Sequence, residues 1–256
     1  MDLGLKDQSF VIGGGSKGLG RAIAAILVEE GARVLLLSRG QAELDKTAGE
    51  IGATATLAVD MADPGTADAV AAAVDRHLGG RLDGVLVNAG GPPPGQVLDL
   101  SDDQWLGSYH LLIGGPIRLL RALTPKMPNG GAVLFITSTS VRQPVAGLDT
   151  SNVLRPGVAA MAKVLARELG PAIRVNTIAP GRFDTDRVRT LDAGRAEKDG
   201  ISVAQLKEAT SKQIPLGRYG EPVEFGRVGA FLLSPAASYV SGITVQVDGA
   251  MTTAVP

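Results

Sequence analysis

The stretch SFVIGGGSKGLGRAIAAILVEEG, residues 9–31, holds three kinds of local order in succession. Ser9–Ile12 is a short apolar run of the type that forms a strand covered on both faces. GGGSKGLG, residues 13–20, follows, and Gly14, Gly18 and Gly20 permit a tight turn that lets backbone N–H groups and a helix N-terminus approach a pyrophosphate. Then Leu19, Ile23, Ile26 and Leu27 recur at helical spacing, with Gly31 placed to cap the end. The same loop also spells G-x-S-x-G over Gly14, Ser16 and Gly18, the nucleophile elbow of α/β-hydrolases. Only one strand precedes it, no HGGG-type segment is present, and Gly20 would have no role there. The phosphate-cradle reading is therefore preferred, and His77 and His110 are read as helix residues rather than bases.

Working outward, six more strands are expected: 33–38, 54–59, 82–87, 132–137, 173–178 and 243–247. Most are continuously apolar, as strands of a parallel sheet are. Helical patterns lie between them at about 64–78, 101–126, 157–169 and 221–233. This alternation predicts an α/β doubly wound parallel sheet with right-handed crossovers and helices on both faces. No repeat or composition shift divides residues 1–256, so a single dinucleotide-binding domain is expected. The segment 182–220 is charged, carries Gly194 and Gly200, and reads as a loop-plus-helix excursion serving as a lid.

The totals exclude several functions. A formal charge of −1, from 25 basic and 26 acidic residues, provides no footprint for nucleic acid or an anionic membrane. The absence of Cys excludes disulfides, thiolate metal sites and Cys nucleophiles, and no metal site is expected. No apolar run approaches the length of a membrane span, and the N-terminus has no signal core, so a cytoplasmic location is the expectation.

Nineteen residues beyond Gly20, the second strand ends in Ser38-Arg39. An acidic residue near this point would bind a free ribose 2′-hydroxyl. A hydroxyl and a guanidinium suit a 2′-phosphate instead, and Lys17 adds a cation. NADP(H) is therefore favoured over NAD(H).

Further motifs join these: VDMAD at 59–63, NAG at 88–90, VNTIAPGRFDT at 175–185 and PLGRYGEPVEFGRVGAFLLSPAASYVSGITVQVDGA at 215–250. With the glycine loop, they resemble the short-chain dehydrogenase/reductase family over nearly the whole chain, and the last is similar to that of 3-oxoacyl-acyl-carrier-protein reductases. The resemblance implies a Rossmann fold of seven strands in the order 3-2-1-4-5-6-7 and a homotetramer. It implies a cofactor site made by Gly14, Ser16, Lys17, Gly18, Leu19 and Gly20, then Ser38, Arg39, Asp60 and Met61, then Asn88, Ala89 and Gly90, and finally Pro180, Gly181, Phe183 and Thr185. The substrate would be a small carbonyl or alcohol.

The departures concern catalysis. The family uses an Asn, a Ser, a Tyr and a Lys, the last two spaced Tyr-x-x-x-Lys. Counting from LAREL at 165–169 puts Ser151 at the Tyr position and Arg155 at the Lys position; Ser138 keeps the serine, and Leu112 stands for the Asn. Gly13 replaces the Thr that opens the glycine motif. Ser138, Ser151 and Arg155 are thus the candidate catalytic residues of an atypical centre, with Tyr109 and Tyr219 as alternative proton donors. A cofactor-binding protein with little or no turnover is the rival reading. Because Pro156 follows Arg155, the helix here is expected to begin only at about 153–156, leaving Ser151 and Asn152 on a loop with Asn152 as a possible cap.

Overall fold

In the computed structural model, which describes residues 2–254, seven parallel strands form one sheet in the order β3-β2-β1-β4-β5-β6-β7. They are β1 (Ser9–Gly13), β2 (Arg33–Ser38), β3 (Ala55–Ala58), β4 (Gly84–Val87), β5 (Gly131–Ile136), β6 (Ile173–Pro180) and β7 (Thr244–Val247). Side chains alternate between faces along each strand, and both faces are apolar. Val11, Leu35, Val85, Val133 and Phe135 point into one core, whereas Phe10, Ile12, Val34, Leu36, Leu86 and Leu134 point into the other. This is why the strands read as continuous apolar runs.

The first core is covered by α3 (Thr66–Leu78), α5 (Gly115–Leu123) and α6 (Asp149–Glu168). The second lies under α1 (Gly18–Glu29), α2 (Gln41–Ile51) and α9 (Pro222–Leu233). Gly226 and Gly229 let α9 press onto α1: a side chain at Gly226 would meet the Ala22 carbonyl at 2.6 Å. Helix α2 is absent from the sequence expectation, since its apolar positions are few and Gly49 weakens the pattern.

Three helical expectations are corrected. The pattern at 101–126 is not one helix: α4 (Asp102–Tyr109) passes through a π-helical segment, His110–Gly114, into α5. Pro116 has no N–H to return to the Leu112 carbonyl, and such breaks commonly accompany a π-bulge. The excursion 182–220 contains two helices rather than one, α7 (Asp186–Asp199) and α8 (Val203–Lys212), the second opened by a Ser202–Gln205 capping box.

The third correction concerns α6, which starts at Asp149 and runs straight through Pro156. Tertiary hydrogen bonds hold its first turn. The Asn152 side chain bonds both the Val145 N–H and the Val145 carbonyl, each at 2.9 Å, and is not a cap. Asp149 accepts the Val97 N–H, and the Thr150 hydroxyl donates to the Pro93 carbonyl at 2.8 Å. These contacts outweigh a helix-interior proline, which costs about 3 kcal/mol. Ser151 therefore sits on the helix, one turn before Arg155, and not on a loop.

Pro156→Ala restores a backbone donor facing the Asn152 carbonyl. It is expected to stabilise the fold by about 1–2 kcal/mol after the loss of proline's restraint on the unfolded chain. Thermal unfolding should show a midpoint higher by a few degrees. A lowered midpoint would mean that the helix is not continuous at this point.

Candidate active site

β1 has β2 on one side and β4 on the other, so successive crossovers leave it in opposite directions and open a crevice at the carboxyl end of the sheet. A cleft of ≈ 760 Å³ lies there. All the sequence-predicted site residues line it except Gly20, which sits beneath the loop.

The glycine loop is closed from below. Gly14 and Gly18 adopt φ of 61° and 54°. A side chain at Gly13 would meet the Asn88 carbonyl at 2.6 Å, and one at Gly20 would overlap the Gly14 carbonyl. The Thr that the resemblance expects at position 13 thus has no room on this backbone. The Asn88 side chain donates to the Gly13 carbonyl at 3.2 Å, and the Thr47 hydroxyl on α2 donates to the Ser16 carbonyl at 2.8 Å. Thr47 was missed in the sequence because its helix was missed. The first turn of α1 has no acidic residue and no side-chain cap, so its N–H groups and positive dipole end remain open to an anion.

Beside the loop, the Ser38 hydroxyl is buried without a hydrogen-bond partner. Among the described residues no carboxylate lies within 4.0 Å of Arg39, whose guanidinium comes within 3.9 Å of the point where a Gly90 side chain would begin. Lys17 is paired with Glu43 at 3.3 Å, both largely exposed, a contact weak enough to exchange for another anion. Asp60 accepts the Ala62 N–H at 2.9 Å, and Met61 is buried. An orphaned hydroxyl, an unpaired guanidinium and a side-chain-free cradle fit a phosphorylated dinucleotide.

At the other end of the cleft, the Ser138 Oγ accepts the Ser140 N–H at 3.1 Å. Arg155 Nε donates to Ser151 Oγ at 2.9 Å, and Arg155 Nη1 donates to the carbonyls of Ile136 and Thr137 at 3.0 and 2.9 Å. Ser140 Oγ lies 3.4 Å from Ser151 Oγ. The arginine thus ties α6 to the end of β5. Burial, and secondarily the Arg187 guanidinium, pull Arg155 down to about 10, which leaves it a cation at neutral pH. Ser140 and Arg187 had no motif to mark them in the sequence.

No tyrosine lines the cleft among the described residues, and its one lysine is Lys17. Both alternative donors are corrected. Tyr109 is exposed on α4, edge-on to His110. Tyr219 is buried and donates to Asp192 at 2.9 Å; burial, then that bond, raises its phenol above the usual range. Leu112 packs into the core, and its neighbour Leu111 lines the cleft instead. The bulge before Pro116 decides which of the two faces inward.

Arg182 pairs with Asp192 at 2.7 Å, so this one carboxylate, on α7, holds both ends of the excursion. Asp184 accepts from Lys207 of α8 at 2.9 Å and from Arg189 at 2.8 Å, and these bonds, the Lys207 one foremost, keep it below the usual carboxylate range. Phe183 stacks edge-to-face on Phe225 at 5.2 Å. The Thr185 hydroxyl caps α7 by accepting the Val188 N–H. Gly181 lies against Asp248, where a side chain would approach to 2.6 Å.

A family model described as Enoyl-(Acyl carrier protein) reductase matches residues 14–252. The chain belongs to the short-chain dehydrogenase/reductase family. An uncharacterized oxidoreductase of Mycobacterium tuberculosis is 35% identical to this dehydrogenase/reductase over 97% of the chain and 93% of its own length. The 3-oxoacyl-[acyl-carrier-protein] reductase of Pseudomonas aeruginosa is 31% identical over 97% and 99%. L-sorbose reductase from Gluconobacter frateurii, solved with NADPH and L-sorbose, superposes with a TM-score of 0.93 at 29% identity and covers 100% of both chains. An NADPH-bound short chain oxidoreductase from Pseudomonas aeruginosa, described as containing an atypical catalytic center, has a TM-score of 0.87 at 27% identity over 98% and 100%. Among the described residues, no helix of this short-chain dehydrogenase/reductase is long and apolar enough to cross a membrane.

Asp192→Ala leaves the Arg182 charge and the Tyr219 hydroxyl without their partner. Loss of these bonds should destabilise the fold by about 1–3 kcal/mol and speed proteolysis within 182–220. An unchanged thermal midpoint and cleavage rate would show that the carboxylate does not tie down the excursion.

Proposed function

We propose that this short-chain dehydrogenase/reductase is an NADP(H)-dependent oxidoreductase acting on a carbonyl or hydroxyl substrate through a centre built on Ser138, Ser151 and Arg155. The observation that carries the cofactor reading is the Ser38–Arg39 pair: a buried hydroxyl without a partner beside a guanidinium without an acid. The NADPH complexes of the two structural neighbours support it. Arg39, Ser38 and Lys17 would hold the 2′-phosphate. The glycine loop, from Gly14 to Gly20, would hold the pyrophosphate. Asp60 and Met61 would face the adenine, Asn88, Ala89 and Gly90 the riboses, and Pro180, Gly181, Phe183 and Thr185 the nicotinamide end. Residues 182–220 serve as the lid.

When bound, NADPH supplies a hydride to the carbonyl carbon, and its oxidised form takes one back from an alcohol. The carbonyl oxygen then gains an electron pair and needs a proton. Arg155 stabilises that growing negative charge as a fixed cation, without releasing its own proton. Because Ser151 Oγ already accepts the Arg155 Nε–H, its own O–H is left to donate to the substrate oxygen. Ser138 offers a second hydroxyl. The proton itself comes from solvent water through the Ser151 hydroxyl. Without a phenol, turnover of ordinary carbonyl substrates is slow, by about 10²–10⁴ for the loss of one general acid.

A second reading, a cofactor-binding protein with little or no turnover, is favoured by the absence of tyrosine, among the described residues, from the cleft lining. NADPH binding without hydride transfer to any of a broad set of carbonyls at high protein concentration would select it.

Calorimetry should show NADPH binding more tightly than NADH. A charge-assisted contact of this kind contributes about 1.5–3 kcal/mol, and Arg39→Asp should erase or reverse the preference. Equal affinities in the unmodified protein would remove Ser38, Arg39 and Lys17 from the site.

We also propose a homotetramer packed through α4, α5 and α6 and through the C-terminal VDGAMTTAVP, the last two residues of which lie outside the described residues. Exposed apolar side chains on these helices support it: Leu106, Ile117, Val153 and Val164. Light scattering at micromolar concentration should report four chains, and a monomer would end the proposal.

A further inference from the structure

The cleft holds four cations, and two of them are left without an anion by the cofactor reading. Lys17 and Arg39 stand at the β1–β2 side, where the 2′-phosphate would sit. Arg155 and Arg187 stand at the other end, on α6 and α7. Arg187 occupies the second position of α7, and its guanidinium lies so close over Gly91 that a side chain at residue 91 would overlap it. It reaches from the lid across to the loop that follows β4, opposite Ser151 and Arg155. Among the described residues neither guanidinium has a carboxylate within 4.0 Å, and Arg187 makes no hydrogen bond. Arg155 spends its bonds on neutral acceptors alone.

Apart from Asp60, which follows β3 and accepts the Ala62 N–H, the acids at the cleft and its rim are paired with cations other than these two. Asp184 is held by Lys207 and Arg189, Asp186 by Arg189 at 3.2 Å, and Glu43 by Lys17. The Arg187 charge reaches Arg155: after burial, it is the second cause that pulls the Arg155 guanidinium down. Arg155 is a buried cation without a counter-ion among the described residues, which is unfavourable, whereas Arg187 is exposed at the cleft rim and free to meet an entering anion. A planar fork on each side is the geometry that recognises a carboxylate. Helix α7 also directs its positive N-terminal end toward the same space.

Building on the oxidoreductase reading, we propose that the substrate is an anionic carbonyl compound or its alcohol, an oxo acid or hydroxy acid, whose carboxylate is taken by Arg187 while Arg155 and Ser151 face the reacting oxygen. Arg187 is then a specificity-determining residue carried by the lid, and the substrate's own charge draws the lid end toward Gly91. The neutral ketone of the same shape would leave the two cations facing each other, so the site discriminates by charge and not by size.

Acetoacetate and its methyl ester form the test pair, since they share a carbonyl and differ chiefly in charge. In the unmodified protein with NADPH, kcat/KM should favour acetoacetate over methyl acetoacetate. Arg187→Gln should lower the acid-to-ester ratio by about 10–150-fold, the equivalent of one charge-assisted contact, and Arg187→Lys should recover part of it. Equal kcat/KM for acid and ester, or a ratio that Arg187→Gln does not move, would overturn the proposal. So would a fall in NADPH affinity of the same size in Arg187→Gln, because the anion would then be the cofactor's pyrophosphate. If no carbonyl is turned over, the oxidoreductase reading fails separately. Calorimetric titration of the NADPH-saturated protein with each compound then reads the site directly: selective binding of acetoacetate, lost in Arg187→Gln, supports the anion site, and equal or absent binding overturns it.

Discussion

The contact between Asn88 and Gly13 is the constraint on which the rest of the molecule depends. β1 and β4 leave the sheet side by side, and the chain must turn away from both in opposite directions. At that point the Asn88 side chain donates to the Gly13 carbonyl, and no side chain fits at Gly13 between the two backbones. The crevice exists because the first crossovers build one side of the sheet and the later ones the other. The glycines let the turn be tight enough for the N-terminus of α1 to face that crevice. Thr47 then secures the same loop from α2, so a surface helix with a weak apolar face still contributes to the site.

The reactive end depends on a different economy of charge. A phenol beside an ammonium can move a proton; a serine beside an arginine cannot do so in the same way, since the guanidinium keeps its charge even when pulled down to about 10. What the pair supplies is a rigid positive field and an oriented hydroxyl. The bonds from Arg155 to the Ile136 and Thr137 carbonyls fix its position, as they anchor α6 to the end of β5. In the function proposed above, the pair is therefore better suited to stabilising negative charge than to delivering protons.

The excursion at 182–220 shares this logic. Its buried carboxylate, Asp192, is neutralised by Arg182 and bonded to Tyr219, so the excursion is held by paired groups. Arg187, five residues earlier on the same helix, has no carboxylate partner among the described residues and lines the cleft. One helix thus carries both the anchor that fixes the excursion and a guanidinium that lines the cleft.

The sequence alone determined the sheet. Most of its strands are buried on both faces, so the hydrophobic effect writes them as largely apolar runs, and all seven lie within two residues of their expected bounds. The glycine loop and the Ser38-Arg39 pair were legible for a related reason: backbone conformation and local charge are set by residues adjacent in the chain. What only the tertiary structure decided were features set by partners distant in sequence. Helix α6 passes through Pro156 because Val145, Pro93 and Val97 hold its first turn. Leu111 rather than Leu112 reaches the cleft because a bulge before Pro116 shifts the helix register. Tyr219, a plausible donor by its position in the chain, is spent on Asp192, 27 residues away. The facing of Arg187 and Arg155 has no local signature either: the two lie on different helices, 32 residues apart, and come together only because α6 and α7 both border the one cleft.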